Sequence, residues 1–200
     1  LADRGSIAQK FFAQASICLG IALAIELVLQ TPIEINTFLI SIAIGAIGSF
    51  GNYFYWKATA VSMSRNAMLT YWDDIIAMTL SFFILHEAAY LTGELALGIV
   101  LSIAAMLAFA VHAAMRGDAE KSASLKSLSL YVALYSVLWG LAYFGQKYAS
   151  TKSLPPHVFA LAWYVGSAPI AGLFYLKKRT EAVRLERSDW KKIVLLSCVL

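Results

Sequence analysis

Six long apolar runs, at residues 11–29, 38–56, 67–85, 95–114, 128–144 and 158–176, and the start of a seventh at 193–200 fill this chain. Only short polar loops separate them. A run of about 20 apolar residues is the length that crosses a ~30 Å hydrocarbon layer as a helix. A soluble helix shows one apolar stripe, whereas these runs are apolar on nearly every side. The composition agrees, at 60% hydrophobic and 14% charged residues. The pattern therefore predicts an all-α integral membrane protein, a polytopic helical bundle. Polar atoms inside a bilayer are costly to keep there, so those that remain are the first place to look for function.

The net charge of +4 follows from 16 Lys and Arg against 12 Asp and Glu. In a soluble chain such a balance would raise nucleic acid as a partner; here the bases flank apolar runs and speak to topology, so no nucleic-acid partner is expected. Counted over alternate connections, fourteen bases fall on one side and two on the other, with seven of the fourteen between residues 177 and 192. The positive-inside rule puts the base-rich side in the cytoplasm and makes this a multi-pass protein of the cell (inner or plasma) membrane. The two cysteines, Cys18 and Cys198, both lie in apolar runs with no Cys-x-x-Cys or Cys/His cluster around them, so both read as packing residues. No metal site or cofactor is expected. The chain opens on Leu1 and stops at Leu200 inside an apolar run, which leads to the expectation that it is part of a longer protein.

Punctuation sharpens the spans. Thr31–Pro32 should end the first, because a residue before proline avoids the α region. Pro155–Pro156 suits the first turn of a helix, and Pro169 should kink the sixth run. Residues 116–129 form a longer, charged and Ser-rich connection, the best boundary between two halves.

Asp73 and Asp74 stand about halfway along the third run. A charge at the centre of a membrane helix costs about 2.5–3.5 kcal/mol on insertion scales. At helical spacing from Asp73 lie Asn66, Thr70, Ala77 and Ser81, a small and polar stripe suited to a protein interior or a wet cavity. The stripe reads either as a proton- or cation-responsive acid on a transport path or as a structural pair satisfied by a lysine or by backbone groups. Asn52 follows Gly45, Gly48 and Gly51, which would let another helix approach closely; its amide is either interhelical glue or a solute contact. Trp139, deep in its run, shares a face with Tyr135, Ser136, Tyr143 and Gln146 and could line a cavity, as could Trp163 and Tyr164. Glu26 and Glu87 sit near span ends and read as solvated; His112 and His157 read as ordinary loop-end residues.

Segment 10–29 can be laid on 157–176, an offset of 147 residues that implies a five-helix unit used twice. Duplicated bundles are a common transporter plan, with sites between the halves. On Gly51-Asn-Tyr-Phe-Tyr-Trp-Lys-Ala58, the following run from Ser62 to Leu85 with His86-Glu87 after it, the Gly98-bearing run, and Leu138-Trp139-Gly140, the chain resembles the drug/metabolite transporter superfamily and its EamA-type repeat. The resemblance implies a two-repeat, 5+5 helix transporter fold. Residues 1–115 would be helices two to five of the first repeat, 116–127 the inter-repeat loop and 128–200 the first helices of the second. It implies a non-enzymatic secondary transporter, an exporter of small organic solutes such as amino acids or metabolites, with proton coupling as an option. The path residues, read from the polar and aromatic stripes rather than from the resemblance, would be Asp73, Asp74, Asn52, Thr70, Ser81, Trp139 and Tyr164; the family commonly has a proline where Asp73 or Asp74 stands. Partners would be the solute, the lipid bilayer and a second copy in a homodimer. Two other classes compete: an intramembrane aspartyl-type enzyme, which needs two acids facing one another across helices, and a non-transporting membrane assembly subunit.

Overall fold

The apolar runs fold as helices. In this computed structural model, residues 7–69, 71–115, 122–178 and 185–199 are described, and every regular element among them is helical. The order is α1 (Ile7–Leu29), α2 (Ile35–Val61), α3 (Met63–Leu69), α4 (Trp72–Ile84), a 3-10 turn (Glu87–Tyr90), α5 (Gly93–Met115), α6 (Ser122–Thr151), α7 (Pro156–Lys177) and α8 (Arg187–Val199). Among the described residues, four helical stretches are long and apolar enough to cross a membrane: Ile7–Leu29, Ile35–Val61, Ser127–Thr151 and Pro156–Lys177. Thr70, singled out from the sequence, and Arg4, Arg116, Lys121, Arg179 and Arg184, five of the bases counted for topology, lie outside the described residues.

Two features differ from the sequence reading. The third run, 67–85, is not one membrane-length helix: α3 ends at Leu69 and α4 starts at Trp72. Hydropathy measures how apolar a stretch is and is blind to a break in its hydrogen-bond ladder. The helices also overrun their apolar runs. Lys10, Lys57, Lys147 and Lys177 therefore sit on helices rather than in loops, and Lys10 is buried on α1. Long basic side chains are tolerated there because their stems are apolar.

Loop chemistry follows the sequence. Pro155 precedes α7 and Pro156 occupies its first turn, where a missing N–H costs nothing. α7 runs as a single helix across Pro169, whose ring is on the exposed side. Gln30, His86 and Ser153, each just past the end of a helix, take left-handed backbone with φ of 47°, 56° and 58°, the conformation with which helices commonly end.

The chain divides into two compact units. The first holds the residues up to Tyr53 and those from Gly145 onward. In it α1 packs along α7 and α8, and α2 meets α7 at backbone distance. A Cβ on Gly45 would lie 2.1 Å from the Trp163 carbonyl oxygen, and one on Gly166 would lie 2.0 Å from that of Ile42. Only glycine permits this approach from both sides. The Trp163 ring fills the space over Gly48. Ser49 donates to the Gly45 carbonyl at 2.9 Å and sits 2.5 Å from the Ser167 hydroxyl, tying the crossing together. Tyr53 stacks on Phe174 and Phe12 on Tyr175, with ring centroids 4.0 and 5.4 Å apart.

The second unit, Phe54–Phe144, is held by aromatic packing. Ala58, Leu128, Val132 and Tyr135 form its buried centre, ringed by Phe54, Tyr55, Val61, Leu69, Tyr131 and Trp139. Tyr55 meets Tyr135 edge-on at 5.5 Å, and the Lys57 ammonium lies 5.4 Å from the Tyr131 ring centroid, a cation–π geometry. α3 packs on α5, and α4 packs on the 3-10 turn.

Candidate functional site at the α4–α6 seam

The break before α4 fixes the setting of the two acids. Asp73 and Asp74 fall in the first turn of α4 rather than in the middle of a continuous helix. The first four backbone N–H groups of a helix lack intrahelical partners and carry the positive end of its dipole, so carboxylates are favoured there. The Asp73 Oδ1 accepts from the Asp74 backbone N–H at 3.1 Å. The two side chains then diverge: Asp73 is 6% exposed, whereas Asp74 is exposed. Among the described residues, no cation pairs with either.

The break also divides the polar stripe. Ala77 and Ser81 share α4 with Asp73, and Ser81 is buried two turns on. Asn66 belongs to α3, where its amide donates to Thr59 Oγ1 at 2.8 Å. Thr70 lies outside the described residues.

α6 supplies the facing wall. Gly140 is the point of closest approach: a Cβ there would stand 2.7 Å from the Ile76 side chain and 2.9 Å from the Asp73 carbonyl oxygen. Tyr143, one turn further along α6, lies within electrostatic reach of both acids. Trp139 packs against Tyr143, their ring centroids 5.0 Å apart at 41°. One turn before Gly140, Ser136 is 3% exposed and its hydroxyl has no hydrogen-bond partner among the described residues. An unsatisfied buried hydroxyl costs about 1–3 kcal/mol. The two helices of this seam thus carry a buried carboxylate that lacks a cation, a buried hydroxyl that lacks a partner among the described residues, and two aromatic rings. Its polar atoms can hold a proton, a small cation or the amine or hydroxyl of a solute.

Of the residues expected to line a path, Asp73, Asp74, Ser81 and Trp139 lie in this unit; Tyr143 relates to both acids and to Trp139. Asn52 and Tyr164 belong to the other unit, both half-buried. Tyr164 meets the Cys18 sulfur in the α1–α7 packing, and Trp163 is the residue that fills the α2–α7 crossing rather than a cavity wall.

One cluster has no counterpart in the sequence reading. Glu26 Oε1 accepts from the Thr31 backbone N–H at 2.8 Å, and Thr31 Oγ1 lies 2.7 Å from His157 Nε2. That nitrogen is 3.6 Å from Glu26 Oε2. The three residues clasp the end of α1, the α1–α2 loop and the start of α7. Residues 126 positions apart leave no periodic signal by which sequence could have paired them.

No family model matches the chain, and no curated protein or solved structure shows detectable similarity to it.

Proposed function

We propose that the chain is part of a secondary transporter of the cell membrane, moving small organic solutes such as amino acids or metabolites outward, with Asp73 as the group that exchanges protons along the path. Membrane-length helices define the setting. The observation that carries the reading is Asp73: a carboxyl 6% exposed, without a cationic partner among the described residues, where Gly140 of α6 closes on the Asp73 backbone. Intramembrane acids are expensive and persist where they do work. A structural acid pair would be expected to have its partners already in place. The EamA-type resemblance of the sequence points the same way and supplies the two-repeat plan and the exporter direction. In this mechanism Asp73 takes up a proton when the seam is open to one side and releases it when open to the other, while the Trp139 and Tyr143 rings bound the solute.

The test uses the full-length protein in proteoliposomes under an imposed pH gradient, screened with labelled amino acids and metabolites. Gradient-driven movement of at least one solute is expected, collapsed by a protonophore. Trp139→Ala should slow it with normal insertion. If nothing in the panel moves faster than the passive leak, the protein is an assembly subunit and the transporter reading fails.

A further inference from the structure

α8 carries two unlike faces. Asp189, Ile193 and Ser197 are buried, and α8 packs along α1, where the Cys18 thiol donates to the Ser197 carbonyl oxygen at 3.8 Å. The opposite face holds Arg187, Trp190, Lys191, Val194, Leu195 and Cys198, which line one shallow open groove. Their spacing of three and four residues is that of a single helical stripe. The stripe is graded. Two cations stand one turn apart at its start, Trp190 lies between them, and exposed apolar side chains occupy the rest, with Leu195 67% exposed. Of the nearby acids, Asp189 is turned inward, its Oδ2 accepting from the Glu186 backbone N–H at 3.2 Å, and Glu186 lies before the helix, outside the residues that line the groove.

We propose that this face of α8 is a binding site for an anionic phospholipid of the surrounding bilayer. The headgroup phosphate sits between Arg187 and Lys191, and an acyl chain runs over Val194, Leu195 and Cys198. Charge complementarity selects the anionic headgroup, and the apolar continuation selects a lipid over a soluble anion. Basic residues beside a membrane attract anionic lipids by about fivefold each. Tryptophan is the side chain most at home at the headgroup level, so Trp190 marks the depth of the site. The proposal is independent of the transport reading, because it uses no residue of the α4–α6 seam.

The test follows Trp190 fluorescence in the full-length protein in vesicles, as the difference between wild type and Trp190→Phe. Phospholipids brominated on the acyl chain serve as quenchers, with anionic phosphatidylglycerol compared with zwitterionic phosphatidylcholine at equal mole fraction. The expected result is a preference of about fivefold or more for the brominated anionic lipid. Arg187→Gln with Lys191→Gln should abolish it, and Lys191→Arg should keep it. Lys177→Gln, a base outside the groove, should leave it in place. Both charged positions are exposed, so the variants should keep the wild-type circular dichroism. Equal quenching by the two lipids overturns the proposal, since the face is then merely lipid-exposed. Quenching by neither overturns it too, since the face is then covered by protein. Displacement of the brominated lipid by inorganic phosphate at millimolar concentration would make the site one for a soluble anion and would also overturn it.

Discussion

Two helix crossings, one in each unit of this molecule, handle buried polarity in opposite ways. Where α2 crosses α7, the buried hydroxyls of Ser49 and Ser167 are within hydrogen-bond distance of each other, Ser49 also bonds backbone, and glycines bring the two helices to backbone contact. At the α4–α6 seam one glycine, Gly140, brings the helices together. There the buried Ser136 hydroxyl has no partner among the described residues, and the buried Asp73 has no cation. The first arrangement optimises packing. The second retains polar groups at a cost in stability.

Breaking the first arrangement should have the largest effect. Gly166→Leu would drive a side chain into the Ile42 carbonyl. Overpacking of this kind costs about 3 kcal/mol at the upper end of its usual range, so loss of monodisperse protein on gel filtration is expected. Wild-type yield and melting would show that the crossing can open.

Hydroxyl removal should then separate the two crossings by sign. Ser136→Ala removes an unsatisfied group and should raise stability by about 1 kcal/mol. Ser167→Ala removes an interhelical hydrogen bond, worth on average about 0.6 kcal/mol in a membrane, and should lower stability. Thermal unfolding of both variants in one detergent would decide it; a fall for both would make the two sites alike.

The smallest effect concerns a loop. Gln30 carries a backbone strain at φ 47° that glycine would not, so Gln30→Gly should stabilise by a few tenths to about 1 kcal/mol. Destabilisation would mean that the Gln30 side chain holds the turn.

The spans were legible because length and hydropathy are one-dimensional properties, and α1, α2, α6 and α7 cover the runs that predicted them. The proline-led start of α7 was legible from turn chemistry, and the close approach at Gly45 and Gly48 from side-chain size. The face of α6 bearing Ser136, Trp139 and Tyr143 followed from helical spacing. What sequence could not supply was continuity and pairing. Nothing apolar or polar about 67–85 announces that α4 starts at Trp72, yet that start moves Asp73 from mid-helix to a first turn. Likewise, Trp163 reads as a cavity aromatic until α2 is placed against it. Glu26, Thr31 and His157 read as unrelated loop-end residues until α1 and α7 are packed side by side.

The central claim is that Asp73 is retained for what it does rather than for what it holds together. Thermal unfolding of Asp73→Asn, in the same detergent as wild type, tests its structural half with no solute present. Asparagine keeps the Oδ1 acceptor used by the Asp74 N–H and removes a buried charge. The midpoint is therefore expected to stay at the wild-type value or rise, while the response of transport to a proton gradient disappears. A midpoint that falls by several degrees, with gradient-driven transport intact, would make Asp73 a structural residue and contradict the account.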